Sequence, residues 1–256
     1  MLRQNVVDPA AILWKTGETQ GITFECQVLL SGSDGGPEAI RLRFDHRPSV
    51  FAHMHLTSQF QLLLRGTMDF PTESMKLRPP AVHYTDHNVA YGPFATGVQH
   101  DMLVLHPKQA GLISMSDRAA RRQINLSGRE LTGMEKDAEW FPIPRFEGAR
   151  WKILIPHSFG PEAVMVQYPP GAVLPLDVPT WGRYEVVLEG SVMVEGHTLG
   201  SPGLRYVQGD ERPAPLRAGA DGATLIFLSF DKDALEGGLT GEGLALTAAE
   251  TMARAL

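Results

Sequence analysis

Apolar and polar residues alternate most regularly between His53 and Gly66, where the sequence reads HMHLTSQFQLLLRG. Polar residues hold odd positions, namely His53, His55, Thr57, Gln59 and Gln61. Apolar residues hold the even positions, interrupted by Ser58, namely Met54, Leu56, Phe60, Leu62 and Leu64. Because successive side chains of a β-strand point to opposite faces, the pattern predicts a strand with one polar face and one face that packs into protein.

Other short strands are predicted before this stretch. Residues 22–30, ITFECQVLL, are rich in strand-forming types. Residues 39–44 alternate, with Arg41 and Arg43 on one face, which is typical of a half-buried strand. The segment between these runs, residues 31–37 (SGSDGGP), has the composition of a turn. Strands of this length separated by Gly- and Pro-rich turns favour a β-sandwich or barrel over a βαβ fold.

Helical signals are scarce. Residues 117–147 are charged and contain Pro142 and Pro144, which predicts a linker with a short helix near residues 117–123. The C-terminal run 246–256, LTAAETMARAL, predicts a terminal helix, because Thr247 and Glu250 have the spacing of a capping box.

The two halves of the sequence match each other at a constant offset of 124 residues. The matching pairs are Phe44 with Tyr168, Val50 with Leu174, Gly66 with Gly190, and residues 37–40 (PEAI) with 161–164 (PEAV). Because the offset is the same for every pair, the match indicates a duplicated domain. We therefore predict an all-β chain with a first domain over residues 1–116, a linker over 117–150 and a second domain over 151–256.

Composition narrows the class of protein. The chain has 256 residues, 43% of them hydrophobic and 20% charged, as in ordinary globular proteins. Its net charge of −6 gives no basic field to attract nucleic acid or an anionic membrane. The local basic cluster Arg118, Arg121 and Arg122 is interpreted as a solvated face. Cys26 is the single cysteine, which excludes an intramolecular disulfide and, with no secretory signal at the N-terminus, favours a cytoplasmic location.

His53 and His55 are the candidate metal ligands of the alternating stretch. On one strand both imidazoles would point the same way, and grouped neutral imidazoles bind Fe, Zn, Ni, Cu or Mn. An ordinary polar face is the alternative interpretation of these two residues alone. Arg41 and Arg43 could clamp a substrate carboxylate, although a salt bridge is the more common use of such a pair.

These residues resemble the first motif of the cupin superfamily, and the repeat resembles its two-domain members, the bicupins. The motif is Gly, five residues, His-x-His, three or four residues, Glu, six residues, Gly. His53, His55 and Gly66 match it, while Gln59 stands at the Glu position. In the second half the two glycines are matched by Gly171 and Gly190, while the ligand positions hold Asp177, Pro179 and Arg183.

The second cupin motif includes Pro-x-Gly-x-x-His, which Gly97 and His100 match, with Ala95 at the Pro position. The resemblance implies two tandem jelly-roll β-barrels with few short helices, and one divalent metal bound by His53, His55 and His100 in the first barrel. Gln59 would hold a water or a substrate oxygen rather than add a negative ligand.

The resemblance implies a metal-dependent enzyme, with a mononuclear Fe(II) dioxygenase as the leading reading and Zn, Mn, Ni or Cu as other metals. Three neutral ligands leave the charge of the dication in place, which favours a small anionic organic substrate. An isomerase, lyase or decarboxylase on the same site, or a binding protein without turnover, are the alternatives. A homodimer is left open, and neither nucleic acid nor a membrane is expected as a partner.

In the second half, charged side chains replace the metal ligands. Asp177, Arg183 and Glu185 can be buried only if they pair with one another. We therefore expect an internal salt-bridge network there, with a small-ligand pocket as the alternative.

Overall fold

The computed structural model describes residues 5–19, 21–118, 120–144, 146–174, 176–236 and 246–247. Twenty-three strands and one short α-helix, α1 (Lys232–Glu236), make up the regular structure, with five 3₁₀ turns between them. The first thirteen strands are β1 (Asn5–Val7), β2 (Lys15–Thr19), β3 (Ile22–Ser31), β4 (Glu38–Phe44), β5 (Ser49–Val50), β6 (His53–His55), β7 (Gln59–Arg65), β8 (Met68–Phe70), β9 (Met75–Leu77), β10 (Ala81–Thr85), β11 (Phe94–Thr96), β12 (His100–His106) and β13 (Gly111–Ser114). The others are β14 (Glu130–Met134), β15 (Phe141–Pro142), β16 (Arg150–Ile155), β17 (Glu162–Tyr168), β18 (Val173–Leu174), β19 (Arg183–Val194), β20 (His197–Gly200), β21 (Leu204–Val207), β22 (Leu216–Ser229) and β23 (Leu246–Thr247).

The chain divides into two compact units. The first unit comprises Ile12–Met134 and Asp233–Leu256, and the second comprises Met1–Ala11 and Glu135–Lys232. The predicted all-β architecture is confirmed in both. No helix among the described residues is long and apolar enough to cross a membrane.

Three antiparallel sheets form the first unit. The largest has the strand order β14-β10-β7-β12-β4-β3-β2, and its central strands β7 and β12 are buried along most of their length. A four-stranded sheet, β5-β11-β8-β9, and a three-stranded sheet, β23-β13-β6, complete the unit. Buried apolar residues from the two larger sheets pack together, among them Leu63, Phe70 and Met102.

A single nine-stranded antiparallel sheet forms the second unit. Its main path runs β1-β21-β19-β22-β17-β16-β15, with β18 and β20 paired at its sides. The long strands β19 and β22 curve through register shifts, for example between Val187 and Glu189. One face buries an apolar cluster that includes Val166, Val187 and Leu225.

The duplication predicted from the sequence is present in the strands themselves. The strand pairs β4 and β17, and β5 and β18, have bounds that differ by 124 residues, and β7 and β19 begin 124 residues apart. Gly66 and Gly190 both have positive φ, 82° and 70°, and at each of them a Cβ atom would clash with neighbouring backbone, so both positions require glycine. The two halves therefore share one strand plan.

The two compact units have bounds that differ from those of the predicted domains. β1 lies at the N-terminus but pairs with β21 of the second unit, and β23 pairs with β13 of the first. Two segments of the predicted linker also belong to the sheets, since β14 extends the largest sheet beside β10 and β15 pairs with β16. Unpaired backbone groups at these sheet edges explain why the flanking segments add to them as strands.

The helix predictions have mixed outcomes. A 3₁₀ turn at Ala120–Gln123 lies within the short helix predicted for residues 117–123. The predicted terminal helix begins with Leu246–Thr247, which form β23 instead, and its remaining residues lie outside the described part of the chain.

Candidate metal centre and ligand cavity

His53 and His55 lie on β6, as predicted, but the strand is shorter than the alternating pattern suggested. The chain bends at Leu56–Ser58, so that Gln59 begins β7 in a different sheet. β6 pairs with β13 on one side, and His53 bridges to Tyr91 on the other. The two imidazole ring centroids are 5.2 Å apart, and both side chains are buried. The bend therefore separates the histidine pair from Gln59 in the sheet plan.

His106 is the third histidine of this cluster. It ends β12, and its ring centroid lies 5.0 Å from that of His55. His53, His55 and His106 all line the same cavity. Motif spacing favoured His100 as the third ligand, whereas the only local signal of His106 is its place before Pro107 at the end of an apolar run.

His100 lies elsewhere in the first unit. It begins β12, so six residues at about 3.3 Å each place it roughly 20 Å along the strand from His106. Its Nδ1–H donates to the Thr67 carbonyl at 3.0 Å, its Nε2 lies 3.0 Å from the Met102 sulfur, and its ring packs against Phe44. The structure thus does not bring His100 together with the predicted partners His53 and His55.

Burial keeps the clustered imidazoles neutral. It lowers the pKa of His53 and of His106 to about 4, and lowers the pKa of His55 well below its usual value, with neighbouring histidines adding to the effect at His55. The Nδ1–H of His53 donates to the Phe51 carbonyl at 2.7 Å, and that of His106 to the Ser58 carbonyl at 3.2 Å. In each neutral ring the lone pair is then on Nε2, the tautomer in which a metal-binding histidine is commonly held by a backbone carbonyl.

The cavity beside these histidines is small and mostly apolar. Its volume is about 110 Å³. Eleven of its lining residues are aliphatic or aromatic hydrocarbons or Met: Ile22, Phe24, Ile40, Leu42, Phe44, Val50, Phe51, Phe94, Met102, Val104 and Leu112. Polar groups enter it from the histidine cluster, Thr19, Gln61 and Tyr91. Such a site suits a small molecule with a carbon skeleton and one polar end.

A hydrogen-bonded chain holds Tyr91 at the polar end. The Tyr91 hydroxyl oxygen accepts the side-chain N–H groups of Gln59 at 2.8 Å and Gln61 at 3.0 Å. The Gln61 carbonyl lies 2.8 Å from His83 Nδ1, and His83 Nε2 lies 2.8 Å from the Glu130 carboxylate. This chain runs from the partly exposed Glu130 to the cavity wall, so it fixes the position of the Tyr91 hydroxyl.

Gln59 is fully buried, and it does not line the cavity. Its amide nitrogen donates to Thr85 Oγ1 as well as to Tyr91, and its carbonyl oxygen is buried without a protein partner. Reversing the amide would leave its NH₂ group in that same partnerless position. In both orientations Gln59 forms a hydrogen bond with Tyr91.

The clustered side chains have the donor atoms that a metal needs, but they are not arranged as a metal site. Across residues 5–236, within the described ranges, no three His, Cys, Asp or Glu side chains are arranged so that they could hold a metal ion. The donors themselves fit a divalent ion, because His53 and His106 present Nε2 lone pairs and the buried Nδ1 of His55 has no partner.

The arginine side chains considered in the sequence analysis form salt bridges. Arg41 and Arg43 bind Asp101, with the shortest distances 2.7 and 2.9 Å, and neither lines the cavity. In the second unit Arg183 binds Asp177 and Glu185, which confirms the expected salt-bridge network. Sequence analysis missed one member, the buried Arg205, which binds the other oxygen of Glu185 at 2.6 Å.

Solved structures share this fold. A candidate dioxygenase from Nostoc punctiforme superposes with a TM-score of 0.67 at 12% identity, covering 94% of this chain and 87% of that one. Oxalate decarboxylase from Bacillus subtilis gives 0.58 at 10% identity, covering 90% and 77%. The pirin YhhW from Escherichia coli, solved in complex with nickel(II), gives 0.57 at 9% identity, covering 90% and 100%.

No family model matches the sequence, and neither does any curated protein. At identities of 9–12% the likeness concerns the fold. The two β-rich units and their common strand plan agree with the motif resemblance. The chain has a two-domain jelly-roll fold, which it shares with these solved structures.

Proposed function

We propose that the first unit is a metal-dependent enzyme acting on a small organic molecule. The observation that carries this proposal is the grouping of three neutral, buried imidazoles, His53, His55 and His106, at the polar end of an apolar cavity. Three buried neutral imidazoles lower the stability of the fold at acidic pH, and metal binding would offset this loss of stability.

The three imidazoles would hold a divalent ion, with Fe(II) as the first choice and Zn, Mn, Ni or Cu as the others. A bound ion of this kind would supply Lewis-acid chemistry and open coordination positions. The nickel(II) bound by the pirin neighbour supports a divalent ion in a unit of this fold. His106 replaces His100 in this proposal because it is the histidine that reaches the cavity.

The substrate would present an oxygen to the polar end and its carbon skeleton to the apolar walls. Both Gln59 and Gln61 donate to the Tyr91 oxygen, and burial raises the pKa of Tyr91, so the phenol keeps its proton. With the Gln59 amide oriented as described, this proton has no acceptor within the described part of the chain, and an oxygen of the ligand can take that role. Tyr91 would therefore orient the substrate by donating one hydrogen bond.

No lysine or arginine lines the described cavity wall. The attraction for an anionic substrate would come from the dication held by neutral ligands, in a sheltered site where charge interactions are strong. Cleavage of an aromatic diol or a β-diketone by dioxygen is the reaction we propose first. An isomerase, lyase or decarboxylase would use the same contacts.

A binding protein without turnover is the second candidate. It is favoured by one observation, namely that the described side chains are not already arranged to hold a metal. In that case the Tyr91 hydroxyl and the imidazoles would bind the polar end of a ligand directly.

Metal analysis and dioxygen uptake separate the two candidates. The protein is purified, reconstituted with Fe(II), Mn(II), Ni(II) or Zn(II), dialysed, and assayed by elemental analysis. Oxygen uptake is then followed with aromatic diols and β-diketones. The enzyme proposal expects one retained metal per chain and substrate-dependent uptake with Fe(II). Failure to retain any of the four metals would leave only the binding-protein candidate.

A further inference from the structure

The second unit has a cavity of its own. Its volume is about 370 Å³, and it lies on the face of β17, β19 and β22. Four aromatic side chains line it: Phe146, Trp151, Tyr168 and Phe227. Its charged lining residues are Glu162, Asp177 and Arg183. None of these residues belongs to the histidine site, so the inference below is independent of the proposed function.

The strand register explains why the charged groups share one end of this cavity. Glu162 pairs with Ser229, and Ser229 pairs with Arg183 on the next strand, so the three side chains form one row on the same face. Two residues further along, Val164 and Phe227 occupy that face. The lining of the cavity therefore changes from polar to apolar over two residues of each strand.

The negative and positive side chains in and beside this row are unequal in number. The Arg183 guanidinium is already bound to Asp177 at 2.7 Å and to Glu185 at 2.9 Å, and Arg205 is bound to Glu185. Three carboxylates thus face two guanidinium groups. Glu162 has the His157 imidazole and the Arg183 guanidinium near it, and it is the carboxylate without an ion pair among the described residues. Glu162 is half-buried, and the loss of water around it raises the pKa of its carboxyl group.

We propose that this cavity binds a small organic cation, an amine whose ammonium group pairs with Glu162 and whose carbon skeleton lies against the aromatic walls. The faces of Trp, Tyr and Phe attract cations electrostatically, and a partly desolvated carboxylate gains from a counter-charge. An anionic ligand would meet Arg183 with its donors already committed and would be repelled by Glu162.

The test uses the full-length protein and two probes of similar shape, benzylammonium and benzyl alcohol, with dissociation constants from ligand-observed NMR titrations at pH 7. We expect benzylammonium to bind about tenfold more tightly, since the ion pair with Glu162 and the cation–π attraction act only on the cation, while both rings pack against the aromatic walls alike. We expect Glu162→Gln to remove this preference. Asp221→Asn, the same charge change at an exposed site far along β22 from Ser229, should leave it intact.

The proposal fails if benzyl alcohol binds as tightly as benzylammonium to the unmodified protein, a comparison that needs no substitution. It also fails if neither probe binds at millimolar concentration, or if Glu162→Gln keeps the preference for the cation. Thermal unfolding of each variant shows whether the fold is retained. Metal content at the histidine site is measured in parallel. Because the two cavities share no residues, a loss of metal neither supports nor contradicts the binding of the cation.

Discussion

The imidazole rings of His55 and His106 lie 5.0 Å apart, although His55 stands on β6 of the three-stranded sheet and His106 ends β12 of the seven-stranded sheet. The histidine cluster is thus made where two sheets of the first unit meet. Neither sheet alone contains it. A metal at this point would join the two sheets, and its ligands can be tested one at a time.

His106→Ala should strip metal from the purified protein, whereas His100→Ala should retain it. The reason is that His106 lines the cavity, while His100 is about 20 Å along the same strand and bonded to Thr67. Elemental analysis after dialysis is the measurement, and the exposed His46→Ala is the matched control. Full metal content in His106→Ala, with loss in His100→Ala, would restore the histidine set expected from motif spacing.

Gln59→Glu should lower stability without improving metal retention. Gln59 donates to Tyr91 and Thr85 from a fully buried position, and a carboxylate can donate neither bond. We expect a loss of about 1–3 kcal/mol in the free energy of unfolding, measured with urea. Tighter metal binding in this variant would show instead that residue 59 reaches the metal, as the acidic residue at the cupin motif position would.

Tyr91→Phe should cost about 1–3 kcal/mol of stability, because it leaves two buried amide N–H groups without their acceptor. Tyr206→Phe is the matched control, since the buried Tyr206 hydroxyl has no partner and its removal should change stability by less than about 0.5 kcal/mol. Urea unfolding of both variants is compared. Equal losses would mean that the contacts of Tyr91 with Gln59 and Gln61 contribute nothing measurable.

The metal-free protein should be less stable at pH 5 than at pH 7. His53 and His106 have folded-state pKa values of about 4 against 6.5 in the unfolded chain, and His55 is lower still. The unfolded chain binds more protons in this window, so stability is lost as the pH falls below 6.5. Glu38 acts in the opposite sense, because its folded-state pKa is raised to about 7.

Three imidazoles outweigh one carboxyl group, so the net loss from pH 7 to pH 5 should be on the order of 3 kcal/mol. Urea unfolding at both pH values measures it, and His106→Gln should reduce the difference. A protein that is equally stable or more stable at pH 5 would contradict the burial of three neutral histidines.

Glu185→Gln should destabilise the second unit strongly. Glu185 binds Arg183 with one oxygen and Arg205 with the other, and all three side chains are almost fully buried. Removing its charge leaves two buried guanidinium groups undercompensated, at a cost of about 3–5 kcal/mol. Lys76→Met is the control, because the Lys76–Asp69 pair is exposed and should be worth less than about 1 kcal/mol. Similar losses in the two variants would show that the buried network is not needed.

Local patterns in the sequence predicted several strands and the duplication. Alternation describes β4 correctly, and the offset between the halves survives in the bounds of β17. Pairing of Arg183 with Asp177 and Glu185 could also be predicted, since buried charges require partners.

The site was predicted only in part, because its assembly depends on which strand ends meet. The spacing of His53 and His55 identifies neighbours on one strand. Motif spacing identified His100, but a seven-residue strand has two ends, and the sheet order brings the His106 end to the cluster. The bend at Leu56–Ser58, which moves Gln59 into another sheet, likewise has no signal in the alternation.

The exchange of terminal strands has a consequence for how this protein is made. β1 leaves the ribosome long before β21, with which it pairs, and β13 leaves it long before β23, which completes its sheet. Neither unit can complete its hydrogen bonding during synthesis of its own main segment. Cutting the gene between the codons of Met134 and Glu135 would give two fragments that each lack a strand, and we expect them to regain it by associating with each other.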